Sequence, residues 1–376
     1  MKTAVVLTTI NIPHIVKDFC ENFEKYGYAD TEVIIIGDKK SPDEQSKKLV
    51  KEYADKGFKI FYYDIPAQEE WLKNFPKLAE IIPYNTDNRR NIGFLMAKER
   101  GAEMLISTDD DNFPLIDHDF VGSHLKMISQ AGDYEITSSD NKWFNICDLM
   151  GNNKNETIFA RGFPYRIRKK YDQAQIKKEK KAGIRIMLNQ GLWEKDPDVD
   201  AITRIERNVQ MTNLKGSAVL GLGTFSPINS QNTALHIDLL PAYYFVIMNT
   251  VIDGLKIDRY GDIWSGLFTK KVMDAMGVYA SFGEPLVDHR RNDHNLFNDL
   301  KGELNGIIYT ERISEFLENV QLQGSSASEL YADLSNKLKD FVDGEASFGE
   351  DFKNYIKKLH YSQHIWLETL ASFSSL

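Results

Sequence analysis

Cysteine is nearly absent: Cys20 and Cys147 are the only two in 376 residues. Two thiols so far apart in sequence build neither a disulfide framework nor a cysteine-type zinc site. They fit a reducing compartment, so the cytoplasm is the expected location. Long apolar runs are missing too. The longest, Leu239 to Ile252, is interrupted by Pro241 and Asn249 and falls short of the ~20 residues a membrane-spanning helix needs. Ala4 to Ile10 is too short for a secretion signal and runs at once into Asn11 and Pro13. An excess of positive charge is also lacking, with 46 Lys and Arg against 55 Asp and Glu. The formal charge of -9 removes the long-range attraction that a phosphate-backbone binder uses, so nucleic acid is not an expected partner.

What is present is an ordinary globular composition, 42% hydrophobic and 27% charged. The length suits one large α/β domain or a core domain with a smaller appendage. Short apolar runs at Ala4 to Thr9, Glu32 to Ile36, Lys59 to Tyr63 and Glu103 to Ser107 alternate with helix-spaced segments at Ile15 to Tyr26, Glu44 to Gly57 and Asn91 to Gly101. Strands alternating with helices predict a parallel sheet covered on both faces. From Trp143 to about Arg207 the rhythm weakens, which reads as a polar insertion or lid. Ser314 to Leu376 reads as two or three amphipathic helices broken at Gly324 to Ser328 and Gly344 to Gly349.

In such sheets ligands bind beyond the carboxyl ends of the strands, and polar residues cluster at those places. Thr8, Thr9 and Asn11 follow the first strand, Asp38 the second, and Asp109, Asp110 and Asp111 the strand ending at Ser107. Three adjacent carboxylates raise one another's cost of ionising, and a divalent cation removes that cost. Oxygen donors without a nearby thiolate favour Mg²⁺ or Mn²⁺, shared with substrate phosphates; a solvated acidic turn is the competing reading. Arg89 and Arg90 precede the helix feeding that strand and are placed to reach a diphosphate or a nucleobase, or merely to start a helix in solvent.

Arg161, in a turn with Gly162, Phe163 and Pro164, is aimed either into a site or into a buried ion pair. Asp262 and Trp264, at a helix start, read as a general base or sugar-holding carboxylate and a sugar-stacking ring, with helix cap and core as plain alternatives. His289 follows an apolar strand and offers an imidazole to a metal shell or to the core. The basic run Arg166, Arg168, Lys169, Lys170, Lys177, Lys178, Lys180 and Lys181 reads as a solvated helix or loop face, with contact to an anionic acceptor or a membrane surface second.

Taken in order, several segments resemble two related families, the reversibly glycosylated polypeptides, which include UDP-arabinopyranose mutases, and the STELLO-type glycosyltransferases. The matching stretches are Asn91-Ile92-Gly93-Phe94, Asp109-Asp110-Asp111, Arg161-Gly162-Phe163-Pro164, Gln190-Gly191-Leu192-Trp193, Asp196-Pro197-Asp198-Val199-Asp200-Ala201, Gln231-Asn232-Thr233, Arg259-Tyr260-Gly261-Asp262-Ile263-Trp264 and Asp288-His289. The run from Asp196 with Gln231-Asn232-Thr233 is closer to the STELLO type. Arg259 to Trp264 is closer to the mutases, where Asp commonly stands in place of Gly261.

The resemblance implies a GT-A-like fold, a mixed and mainly parallel sheet flanked by helices, with a catalytic domain over 1–310, the insertion near 143–207 and a C-terminal helical region over 311–376. It implies that Asp109 to Asp111, joined by His289, form the metal and diphosphate site. It also implies that Arg161 matches the arginine glycosylated in the mutases. The leading expectation is a metal-dependent glycosyltransferase moving a sugar from a nucleotide donor, a UDP-sugar by preference, to an unidentified acceptor. A UDP-sugar pyranose/furanose mutase is the alternative, and a scaffold subunit without turnover the third reading. Peripheral membrane contact and oligomerisation stay open.

Overall fold

The computed structural model describes residues 1–291 and 295–373. Its first half alternates β1 (Thr3–Thr8), α1 (Ile15–Tyr26), β2 (Glu32–Ile36), α2 (Asp43–Ala54), β3 (Lys59–Tyr63), α3 (Ile65–Leu72), α4 (Pro76–Ile81), α5 (Arg90–Glu99) and β4 (Met104–Thr108). Then come β5 (Asn112–Pro114), α6 (Phe120–Ile128), β6 (Gly132–Ser139), β7 (Met150–Asn152), α7 (Tyr165–Arg168), β8 (Ile176–Ile184) and β9 (Ile186–Lys195). The chain continues through α8 (Ala201–Glu206), β10 (Met211–Leu214), β11 (Ala218–Leu220), β12 (Asn232–His236), β13 (Thr250–Ile252), β14 (Leu255–Ile257), α9 (Gly261–Met276) and β15 (Tyr279–His289). It closes with α10 (Leu296–Asn319), α11 (Ala327–Gly344) and α12 (Glu350–Ser372). Among the described residues no helix is long and apolar enough to cross a membrane.

The result is a mixed, mainly parallel α/β sheet flanked by helices, as the alternation predicts. Its main path runs β3-β2-β1-β4-β12-β9-β15-β11-β6-β8. The β3-β2-β1-β4 block is wholly parallel, which is why β2 and β4 are buried along their whole length and β1 nearly so, and read as unbroken apolar runs. Strand β12 enters antiparallel to both β4 and β9, and β15 lies parallel to β9. Helix α5 can approach β1 and β2 closely because residue 93 is glycine: a Cβ there would sit 2.5 Å from Val6 Cγ1 and 3.0 Å from Ile36 Cγ1.

The structure departs from the sequence reading in three places. The stretch 143–207 is not a polar insertion throughout, because β9 runs through it and lies at the middle of the sheet. Its apolar pattern is broken by Asn189 and Gln190, both fully buried among sheet partners. Of the basic run, Arg166 and Arg168 lie on α7 and Lys169 and Lys170 on the turn after it, as expected; Lys177, Lys178, Lys180 and Lys181 lie instead on the exposed edge strand β8, where charge discourages pairing with another chain. The boundary expected after residue 310 falls inside α10; there Thr310 Oγ1 accepts from Trp264 Nε1 at 2.8 Å, so this helix is welded to the body of the fold.

Asn189 belongs to a polar network where α6, β9, β12 and β15 meet. His124 Nδ1 accepts from Asn189 Nδ2 at 2.8 Å, so its Nε2 donates to Asn232 Oδ1 at 3.0 Å. Ser281 Oγ donates to Asn189 Oδ1 at 2.6 Å. The ring is therefore neutral, and burial pushes its pKa down to about 4 from 6.5. Between these values the unfolded imidazole is protonated and the folded one is not, so stability falls as pH drops from 6.5 toward 4. We expect a loss of about 3 kcal/mol across that window. Urea unfolding of the wild type against His124→Gln as pH is lowered checks it, the variant showing a smaller loss.

Candidate active site

The carboxyl ends of β1, β2, β4, β9 and β15 open on one cleft of about 620 Å³, the position that strand geometry favours for ligands. Thr8, Thr9, Asn11, Asp38, Arg89, Arg90, Asp109, Asp110, Asp111, Arg161, Asp262 and His289 all line it. Trp264 does not. It is fully buried, packs against Tyr355 at 6.1 Å between ring centroids and bonds Thr310. The expected sugar-stacking role is thus corrected to core, because α9 turns position 264 inward, toward α10 and α12, while Asp262 lines the cleft.

The three consecutive aspartates are held differently from one another. Asp109 Oδ1 accepts from Arg90 Nη2 at 2.5 Å. Arg90 in turn is 3% exposed and donates to Thr8 Oγ1, Ser107 Oγ and Ser230 Oγ, stitching β1, β4 and the approach to β12 together. Asp110 Oδ2 accepts from Thr9 Oγ1 at 2.5 Å and Asn11 Nδ2 at 3.3 Å. Burial raises the pKa of both carboxyls, opposed by Arg90 at Asp109 and by Thr9 at Asp110. Thr8, Thr9, Asn11 and Arg90 are therefore supports of the acidic run as well as cleft walls.

Asp111 Oδ2 faces His289 Nε2 at 3.6 Å. His289 Nδ1 lies 2.6 Å from the Asp196 carbonyl oxygen; it must donate there, which directs Nε2 at Asp111. Burial would lower the His289 pKa, but Asp111 outweighs it and the net shift is upward. Among the described residues no set of three His, Cys, Asp or Glu side chains converges on a common point. The four ligands expected are each engaged within the protein: Asp109 by Arg90, Asp110 by Thr9 and Asn11, and Asp111 by Asn112 Nδ2 at 2.8 Å on Oδ1 while its Oδ2 faces His289. An imidazole fixed through its second nitrogen is the arrangement of metal-binding histidines, so Asp111 and His289 would suit a hard divalent ion, which would supply positive charge at this end of the cleft.

On the side formed by the end of β2, Asp38 Oδ1 accepts from the Lys39 amide at 2.7 Å and Oδ2 from the Thr86 amide at 3.2 Å. Arg89 is 1% exposed; its Nε donates to Gln68 Oε1 at 2.8 Å, its guanidinium lies 4.4 Å over the Tyr84 ring, and Nη2 has no partner among the described residues. On the opposite side Arg161 is paired with both Asp198 and Asp262, at 2.8 and 3.0 Å. Its turn is fixed by Gly162, which has φ +86° and whose Cβ would meet Ile263 Cγ2 at 2.2 Å.

The sequence reading missed Asp87, Asp198, Arg204, Asp258, Arg259 and Arg291, which also line the cleft. Asp198 sits within a quoted stretch, but nothing in one sequence reveals its partner 37 residues away. Asp87 is pushed up to about 7 by burial and by Asp258 and Asp262. Eight aspartates and six arginines line the cleft in all, a formally acidic balance that the raised pKa values of Asp87, Asp109 and Asp110 reduce.

A covered α/β sheet with a charged cleft at its strand ends defines a ligand-binding α/β protein. The family model "Reversibly glycosylated polypeptide" matches residues 4–358, and the chain belongs to that family. A probable UDP-arabinopyranose mutase 4 of Arabidopsis thaliana is 27% identical over 77% of this chain and 72% of its own length. A probable UDP-arabinopyranose mutase 1 of Pisum sativum is 28% identical over 74% and 72%. A mannosyltransferase of Pyrobaculum calidifontis, solved in complex with GDP-Man and Mn²⁺, matches at a TM-score of 0.35 and 12% identity over 100% of this chain and 74% of that one; nothing is carried across from it.

Proposed function

We propose that the cleft binds a UDP-sugar and interconverts its pyranose and furanose forms, as the names of the mutase relatives describe for those proteins. The observation that carries this reading is the placement of the Asp111–His289 pair and the Arg161 cluster in one cleft at the strand ends. This reverses the order of the sequence expectations, in which transfer to an acceptor led. Asp111 and His289 would hold Mn²⁺ or Mg²⁺, which supplies positive charge to the diphosphate as the bond to the sugar weakens. Arg89 supplies a buried donor not already spent on the protein. Purified protein given UDP-arabinopyranose and Mn²⁺ without any acceptor is expected to produce UDP-arabinofuranose on chromatography; return of unchanged or merely hydrolysed donor would refute it.

Arg89 gives a second check. Its unpartnered Nη2 is a desolvated donor inside the cleft, and a charged hydrogen bond to the nucleotide is worth about 1.5–3 kcal/mol. Arg89→Met is expected to weaken UDP binding by roughly 10- to 150-fold, read by titration calorimetry, and to lower stability by about 1–3 kcal/mol because buried Gln68 loses its donor.

Transfer to an acceptor remains as a second reading because one observation favours it. Behind His289 lies another cavity of about 590 Å³, which shares Arg204, His289 and Arg291 with the first and is otherwise lined by residues such as Lys195, Arg207 and Gln210. That space has room for an acceptor beside the donor.

A further inference from the structure

Away from the cleft, α12 carries two histidines one helical turn apart, His360 and His364. Residues at this spacing share a helix face, and the two rings lie 4.4 Å apart between centroids, inclined at 69°. Both are half-buried and bonded to α11, through Ser335 and Asn336. Metal–nitrogen bonds of about 2.0–2.1 Å would hold two imidazoles on one ion with centroids about 4.5–5 Å apart, so the rings already stand near that separation.

Hydrogen bonds fix the tautomer of each ring. Gln363 Nε2 donates to Tyr331 Oη at 2.9 Å, which turns Gln363 Oε1 toward Ser335 Oγ, its donor at 2.6 Å. A hydroxyl has one proton, and Ser335 spends it there. Its oxygen therefore accepts from His360 Nδ1 at 3.0 Å, and the lone pair of His360 is on Nε2. His364 Nε2 lies 3.2 Å from Asn336 Oδ1. An amide oxygen only accepts, so Nε2 donates and the lone pair of His364 is on Nδ1. Among the described residues neither of these two nitrogens has a hydrogen-bond partner. Burial, His364 and Lys339 lower the His360 pKa against the weaker pull of Ser335 and Asp340, which keeps that lone pair free near neutral pH.

A ring held through one nitrogen with the other bare is how histidines are presented to metal ions. Imidazole nitrogens suit Zn²⁺, Ni²⁺ and Cu²⁺, whereas Mg²⁺ prefers oxygen. Two protein donors are fewer than the four of a closed structural zinc site, so water completes the shell. The residues between the pair are Tyr361, Ser362 and Gln363. They lack the glutamate that follows the first histidine of a zinc-peptidase helix, so the pair suits cation binding rather than hydrolysis.

We propose that His360 Nε2 and His364 Nδ1 form a binding site for Zn²⁺ or another late first-row divalent ion, apart from the cleft. Such an ion ties together one turn of α12 just before Trp366, whose ring packs on Tyr244 at 5.6 Å and whose Nε1 donates to the Pro241 carbonyl at 3.1 Å. Binding there stiffens the contact of α12 with the body of the fold, and a ligand of the folded state alone raises its stability.

The test titrates Zn²⁺ into the metal-free full chain carrying His289→Gln, which removes the cleft imidazole from the count. Calorimetry is expected to give one bound ion per chain, with a rise in melting temperature. His360→Gln and His364→Gln, each added to that background, are each expected to weaken Zn²⁺ binding about tenfold or more and to abolish the rise, with the far-UV circular dichroism unchanged. With Cu²⁺ instead, electron paramagnetic resonance of the background chain is expected to show coupling to two nitrogens, and to one in either variant. Zn²⁺ affinity kept in either variant, a background Cu²⁺ spectrum with fewer than two nitrogens, or no binding at all overturns the proposal. If a variant does not fold, the spectrum of the background chain decides alone.

Discussion

Arg90→Met is expected to cost about 3–5 kcal/mol of folding stability, the range for removing one partner of a buried ion pair. The side chain is 3% exposed and holds Asp109 at 2.5 Å while donating to Thr8, Ser107 and Ser230. Methionine fills the volume but leaves half-buried Asp109 without its cation and three hydroxyls without their donor. Because those partners come from β1, β4 and the turn before β12, the loss falls on the join between the parallel block and the rest of the sheet. Urea unfolding followed by circular dichroism reads the effect. Arg90→Lys is expected to recover part of it, since an ammonium keeps the charge at Asp109 but cannot span the hydroxyls as a planar fork does. A variant as stable as wild type would mean that the ion pair is not formed in solution.

The same geometry explains what a single sequence can and cannot disclose. Strands β1 to β4 were legible because parallel strands buried on both faces are short apolar runs between helix-period segments; Glu32–Ile36 and Lys59–Tyr63 coincide with their predicted limits. The breaks around Gly324 and Gly344 were legible for the same reason, as helix stops between α10, α11 and α12. Strand β9 was not, because Asn189 and Gln190 are buried polar residues that look from sequence like loop: Asn189 is satisfied by α6 and β15, while Gln190 accepts from the Asn229 amide and its Nε2 has no partner among the described residues. At the site, residues that follow a strand directly were found. Asp198, Arg259 and Arg291 were missed, since their role comes from partners far away in the chain: Asp198 with Arg161, Arg259 with Glu303 and Arg291 with Asp299. Trp264 was misassigned because helical phase, not residue type, decides whether a ring faces ligand or core.

Asp111→Asn and His289→Gln are each expected to remove the metal-dependent part of UDP-sugar binding, a fall of about 100-fold or more. Disturbing the partner of a metal-bound imidazole already costs 10- to 100-fold, and here a donor atom itself is lost. The two variants separate the metal reading from a purely structural one. Asp111 and His289 are 3.6 Å apart, so if they served only as an ion pair, the losses would be equal with and without Mn²⁺ and would track stability. If they hold a cation, the variants bind the donor in Mn²⁺ no better than wild type does in chelator, and their unfolding midpoints move little. Asp110→Ala sharpens the contrast. Its carboxylate is engaged by Thr9 and Asn11 rather than facing His289, so it should reduce metal-dependent binding less than Asp111→Asn does. Equal losses at positions 110 and 111 would return the metal to the whole acidic run and set aside the pairing with His289.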